Sequence, residues 1–373
     1  MRSLTSAMIT AALLSACGRV GYDATADAAS DLRLTAPTAP LNLGSAATVV
    51  ATGGAPPYSF AVIAGDGTID AVTGRFRAPD RPGQTMVAVA DAAGALATAA
   101  IAHRGSTLFL LGGQLGGVPQ DAVFASTDGA TWTQVGQLPA ARDSGSAFVW
   151  DDRLFYLGGV DAGLASRTEV WASSDGVTWS TVGALPAPVA SAADGIHDDA
   201  LWLAGGWHSA DLREVYRSVD GATWTTAGAL PIGRHEADLQ SHDGALYVFG
   251  GHQGAAYPVD VLRSDDGASW TTVTGQVNIA TDFTGAGWHD GYAYRGGGYS
   301  VAVERSADLA TWTYLDPLPA PREGPALVSF DGRLLVIGGH VDVLASPDGR
   351  AWQTIGALPD DRGRVAVVQF TPR

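Results

Sequence analysis

"STDGATW", residues 126–132, is the stretch that decides the fold. Alone, it offers a hydroxyl, a carboxylate and an indole at the close spacing of a reactive site. Five further copies change that reading: Ser173-x-Asp175-Gly176, Ser218-x-Asp220-Gly221, Ser264-x-Asp266-Gly267, Ser306-x-Asp308-Leu309 and Ser346-x-Asp348-Gly349. In all of them a Trp follows the Ser by six residues, at Trp179, Trp224, Trp270, Trp312 and Trp352. Asp-Gly between apolar runs is a hairpin signal, because Gly takes positive φ and Asp bonds its own backbone. The Ser can cap the same turn. A catalytic group is needed once; a sixfold group is architecture. The Trp is expected to bury its ring between neighbouring sheets.

Working outward, each copy is preceded by an apolar run ending in paired glycines: "TLFLLGG", "RLFYLGG", "ALWLAGG", "ALYVFGG", "YAYRGGG" and "RLLVIGG". The last glycines are Gly113, Gly159, Gly206, Gly251, Gly298 and Gly339, so the period is 41 to 47 residues. Five units carry Leu-Pro seven residues after the Trp, ending at Pro139, Pro186, Pro231, Pro319 and Pro359; the fourth has "VTGQVN" instead. A period of about 40–50 residues with four strand-length runs per unit is the signature of propeller blades.

The repeated string resembles the Asp-box of sialidases, but there the Trp stands seven residues on, so the match is a near miss made six times. The larger pattern of apolar strand, Gly-Gly, variable loop and Trp resembles the kelch family over nearly 270 residues. The family's mid-blade Tyr is poorly kept, since Phe124, Trp171, Tyr216 and Leu262 vary there. The expected fold is all-β: a six-bladed kelch-type β-propeller at 104–373, preceded by an Ig-like β-sandwich. The first unit has no innermost strand of its own, and the chain ends with one spare run of that kind, "GRVAVVQF", residues 363–370. Residues 365–370 should therefore pair with 107–111 and close the ring.

Composition excludes several chemistries. The net charge is −16, which repels phosphate backbones and argues against nucleic acid as a partner. All 22 basic residues are Arg, so neither a Schiff-base lysine nor a phosphate-loop lysine exists. The one Cys, Cys17, rules out disulfides within the chain and cysteine-zinc sites. No cofactor and no metal are implied, and a monomer is expected.

The first residues, "MRSLTSAMITAALLSAC", have a basic start and an apolar run too short to span a bilayer. Leu14-Ser15-Ala16-Cys17 resembles the lipobox of bacterial lipoproteins. That resemblance implies a signal peptide at 1–16, lipid attachment at Cys17 and, since Gly18 is not Asp, an outer-membrane address on a periplasmic or cell-surface face. Residues 17–30 read as a flexible tether. Residues 31–103 have short alternating strands and frequent turns, and resemble bacterial immunoglobulin- or cadherin-like modules. Asp66, Asp70 and Asp91 there read as turn aspartates rather than Ca²⁺ ligands, since no clustered D-x-D pattern occurs.

In a propeller the loops between strands 2 and 3 and between strands 4 and 1 open on one face. That face is the less repetitive one, as loops carrying function are. Its candidate ligand-binding residues are Trp207, His208, Arg234, His235, His252, Tyr257, Arg322 and His340, with Gln114, Arg142, Glu236, Tyr299, Glu323 and Arg362 nearby. Aromatic, His and Arg groups around a funnel suit a sugar or an acidic ligand. The arginines have a structural reading as well, as inner kelch positions often hold Arg. The pairs His197-Asp198, His242-Asp243 and His289-Asp290 read as turn residues rather than metal or acid–base pairs. The expected function is a lipid-anchored envelope protein that binds a glycan or protein ligand. The alternative is a glycan-active enzyme, sialidase-like or sialic acid epimerase-like, with no catalytic residue assigned.

Overall fold

A computed structural model describes residues 31–371 apart from 39, 43–45 and 80–82. The segments expected as signal peptide (1–16) and tether (17–30), with Cys17, lie outside the described residues. The described chain is all-β, with no helix, and separates into two compact units that meet in sequence at Ser106–Thr107.

Among the described residues the first unit holds three small sheets. Arg33–Thr35 pairs with Val50–Thr52; Leu41–Asn42, Leu96–Arg104, Gly83–Ala90 and Ser59–Ala64 form a second sheet; Ala46–Thr48, Arg75–Arg77 and Thr68–Ile69 form a third. Val49, Phe76, Val87 and Ile101 make its core, continued by Leu32, Phe60 and Val89. Asp70 accepts from the Val72 and Thr73 amides, and Asp91 from those of Ala55, Ala93 and Ala95. Both aspartates are turn caps.

The second unit, Thr107–Phe370, is a succession of six antiparallel sheets, here numbered I to VI. From the inside outward, sheet II is Ser146–Trp150, Arg153–Leu157, Arg167–Ser173 and Ser180–Val189; sheet III is Ala193–His197, Ala200–Ala204, Glu214–Ser218 and Thr225–Ala229. Sheet IV is Asp238–His242, Ala245–Phe249, Asp260–Ser264 and Thr271–Gln276; sheet V is Thr284–His289, Tyr292–Gly297, Val303–Ser306 and Thr313–Tyr314. Sheet VI is Ala326–Phe330, Arg333–Ile337, Asp342–Ser346 and Gln353–Ala357.

Sheet I is completed by the far end of the chain. Thr107–Leu111 lies between Val118–Ser126, itself flanked by Thr133–Arg142, and the C-terminal strand Ala366–Phe370. Thr107 pairs with Phe370 and Leu111 with Ala366, the pairing that the spare terminal run implies. The innermost strands pack pairwise in a cycle, with Ala366–Phe370 against both Ser146–Trp150 and Ala326–Phe330. This arrangement fits a β-propeller.

Each second strand is sandwiched between neighbouring sheets, which explains its almost unbroken apolar run: Leu108 to Leu111, Leu154 to Leu157 and Leu334 to Ile337 are all buried. The paired glycines end these strands where backbones crowd together. At Gly159 (φ 80°) a Cβ would stand 2.6 Å from the Asp143 carbonyl oxygen.

The repeated Ser-x-Asp-Gly string is the turn between the third and outer strands. Ser126 Oγ accepts from the Gly129 amide at 2.9 Å, and Asp128 Oδ1 accepts from the Ala130 and Thr131 amides at 2.8 and 2.7 Å. Trp132 Nε1 closes the turn on the Gly129 carbonyl at 3.2 Å. The same Ser–Asp pattern recurs in the other five sheets. Each turn leans on the preceding sheet. Gly176 abuts Phe109 of sheet I, Gly221 abuts Phe155 of sheet II, and Gly129 abuts Leu335 of sheet VI. The Trp rings follow: Trp224 lies 6.0 Å from Phe148 and Trp312 5.1 Å from Phe249. They fill the seams between sheets, although Trp179, Trp270 and Trp352 are only half-buried.

The His-Asp pairs sit in the turns between first and second strands. Asp198, Asp243 and Asp290 have φ near 45°, as tight hairpins need. His197 Nδ1 meets Ser241 Oγ at 2.9 Å, and His289 Nδ1 meets Ser329 Oγ at 2.9 Å, so these imidazoles link adjacent innermost strands.

Candidate functional site

Entry to every innermost strand is marked by one residue in left-handed backbone: Ser144 (φ 52°), Ser191 (50°), Glu236 (55°), Phe283 (51°), Gly324 (53°) and Arg364 (52°). Their backbones are stitched into a collar. The Ser191 amide donates to the Ser144 carbonyl, Glu236 to Ser191, Gly324 to Phe283, and Ser144 to Arg364. Left-handed backbone is unfavourable for residues other than Gly, and such strain gathers at binding sites. All six collar residues line a central cavity of about 240 Å³ between the innermost strands.

A second cavity, about 550 Å³, lies at the same mouth and shares Ser144, Ser191, Glu236 and Arg364 with the first. Its wall includes Trp207, Asp211, His235 and His252. Trp207 is 39% exposed, and its ring lies 5.0 Å from that of His235. His235 Nδ1 meets Asp211 Oδ1 at 2.6 Å, and its Nε2 meets His252 Nδ1 at 3.2 Å. Tyr257 stacks on His252 at 5.0 Å. Burial keeps the His235 pKa below its ordinary value, against the pull of Asp211.

Glu236 is the unusual group. Its side chain is 9% exposed, its Oε2 has no hydrogen-bond partner, and its Oε1 receives only Ser191 Oγ at 3.5 Å. Burial, aided by the charges of Asp282 and Glu323, pushes its carboxyl up to about 8. Deeper in the channel, burial likewise raises Asp194 to about 6.

Across the mouth stands a second cluster. Arg364 Nε donates to Glu323 Oε1 at 2.8 Å, and its guanidinium lies 3.8 Å over the Phe283 ring. Tyr299 Oη and Gln114 Nε2 donate to the same Glu323 oxygen, both at 2.7 Å. Burial and the Glu323 hydrogen bond raise the Tyr299 pKa.

Of the residues expected from sequence, the structure brings together Trp207, His235, His252 and Tyr257. His208 is exposed in the same loop. His340 is apart, its Nδ1 on Asp342 Oδ1 in sheet VI. Arg234 and Arg322 are withdrawn from the cavities. Arg234 donates two hydrogen bonds to the Asp260 carboxylate at 3.0 and 3.1 Å, and Arg322 donates to Asp342 Oδ1 at 2.5 Å and to the Gly338 carbonyl. Arg142 and Arg362 are spent in the same way, on Glu169 and on Asp360. These four guanidiniums are buried framework cations, each already paired with a carboxylate. Among the described residues no cluster of three or more His, Asp or Glu is disposed to hold a metal.

Solved structures share this fold. One, that of the protein YjhT, aligns with a TM-score of 0.53 at 14% identity, over 66% of this chain and 96% of that one. At that identity the likeness concerns the fold. No family model and no curated protein sequence matches the chain.

Proposed function

We propose that this chain is a lipid-anchored envelope protein whose six sheets are the blades of a kelch-type propeller presenting a glycan-binding mouth. Cys17 would carry the anchor in the outer membrane, and the immunoglobulin-like unit would serve as spacer. The observation that supports binding is the cavity of about 550 Å³ where Trp207, His235, His252 and Glu236 converge on the channel. A partly exposed indole beside a few fixed polar groups is the chemistry of a sugar site: the ring takes the apolar face and the polar groups take the hydroxyls.

A glycan array probed with the soluble full-length chain carrying Cys17→Ser tests this reading. Binding to defined glycans that Trp207→Ala removes supports it. Absence of glycan binding, or binding indifferent to Trp207 and His252, overturns it. The second reading, a glycan-active enzyme, is favoured by Glu236 alone, a carboxyl still protonated near neutral pH as a general acid requires. Turnover of fluorogenic glycosides that Glu236→Gln abolishes would establish that reading instead.

A further inference from the structure

The mouth has a charge pattern that narrows the ligand. Glu236 is faced by Asp282 and Glu323, and by one guanidinium, Arg364. Arg364 is already matched by Glu323 and covered by Phe283. On the other side His235 is tied to Asp211 and to His252. The structure thus leaves a nine-tenths buried carboxyl with one unpartnered oxygen; its other oxygen lies 4.0 Å from Nε2 of His235, an imidazole that burial holds toward its neutral form. A free indole lines the same cavity. Carboxylate plus aromatic face is how proteins hold an organic ammonium, by charge on one side and by ring quadrupole on the other.

We propose that the channel mouth selects a ligand bearing a protonated amine, with Glu236 taking the ammonium and Trp207 the adjoining apolar face. Given the glycan reading, on which the ligand skeleton rests, the ligand is an amino sugar with a free amine; a polyamine offers the same ammonium without the sugar. The weak contact from Ser191 leaves the carboxylate free to turn toward it.

The proton balance follows. In the free protein the Glu236 carboxyl keeps its proton to about pH 8. The bound ammonium replaces it: one O–H bond breaks, the proton goes to solvent, and the ammonium keeps its own protons. Affinity therefore rises with pH while the carboxyl is protonated and the ligand amine is charged, and falls once the amine loses its own proton.

Titration calorimetry on the full chain with Cys17→Ser, in two buffers of different ionisation enthalpy, tests this. The probes are a glucosamine trimer, its fully N-acetylated counterpart and spermidine, on the parent and on Glu236→Gln. The expected result is at least tenfold tighter binding of the free-amine trimer, with proton release, and loss of both in Glu236→Gln. Trp207→Ala, at an exposed position, should weaken both trimers and serves as the second variant. Equal binding of the two trimers, unaffected by Glu236→Gln, overturns the amine inference and leaves the glycan reading standing. Glu236-dependent binding of spermidine with neither trimer bound upholds the ammonium site and removes the glycan reading. No binding of either amine probe, or tighter binding of the acetylated trimer, overturns the inference.

Discussion

Thr107 stands opposite Phe370 in an antiparallel ladder, so the second unit begins and ends in one sheet. The Phe109 and Phe370 rings meet edge to face at 6.2 Å, and both belong to a core shared with Leu154 and Trp171 of sheet II. Sheet I has no innermost strand without the terminus.

Truncation after Asp361 removes that strand whole. It should expose the edge of Thr107–Leu111 and the inner faces of sheets II and VI, giving an insoluble or protease-sensitive product. Limited proteolysis and a thermal melt decide the matter: a soluble truncation with one cooperative transition would break the closure argument.

The tryptophans of the six turns should not be equivalent. Trp224 is 5% exposed and packs on Phe148, so Trp224→Ala should cost about 3–5 kcal/mol. Trp179 is half-buried, and Trp179→Ala should cost clearly less. Urea unfolding of the two variants provides the comparison; equal losses would mean that seam burial does not set the cost.

Those turns were legible because one string recurs six times at one period, and because Asp-Gly has a local conformational meaning. Ring closure was legible from a missing strand at one end and a spare one at the other. The collar was not. Its six positions hold Ser, Ser, Glu, Phe, Gly and Arg, which share a backbone angle and no side-chain property. Trp207, His235 and His252 stood out as unrepeated loop residues; the burial and missing partner of Glu236 were not legible, since they depend on how the loops close over it. Arg234 and Arg322 looked available for a ligand because their carboxylates lie a hairpin away. The acid at or near the start of the third strand in Glu169, Asp260 and Asp342 was the signal that the arginine preceding each innermost strand, Arg142, Arg234 and Arg322, has a partner in the sheet that follows it.

Acid should loosen the turns together. The Thr178 and Val177 amides hold Asp175 below the ordinary carboxyl range, and the Ser269 and Ala268 amides do the same for Asp266; Asp220 and Asp308 are lowered likewise. A depressed folded pKa gives stability that is present above the ordinary value of 3.8 and is lost as pH falls through the folded value. The melting temperature should hold down to about pH 4 and then fall. Asp175→Asn combined with Asp220→Asn should start lower and flatten that fall; an unchanged slope in the double variant would show that these turns do not carry the acid sensitivity.

Glu236 should act in the opposite sense. Its carboxyl is raised from an ordinary 4.5 to about 8, so between those values the folded state binds more protons than the unfolded one. The linkage sign then makes this group's contribution to stability decline as pH rises from 4.5 to about 8, where ionising it leaves a buried charge beside Asp282 and Glu323. Gln at this position keeps the shape and the left-handed backbone while removing the ionisation. Glu236→Gln should melt near the parent temperature at pH 5 and above it at pH 9, with a gap that opens across pH 6 to 8. Thermal melts of both proteins from pH 5 to pH 9 test this. A constant gap, or a variant less stable at pH 9, would mean that the carboxyl ionises at its ordinary value and that the channel mouth does not hold a proton near neutrality.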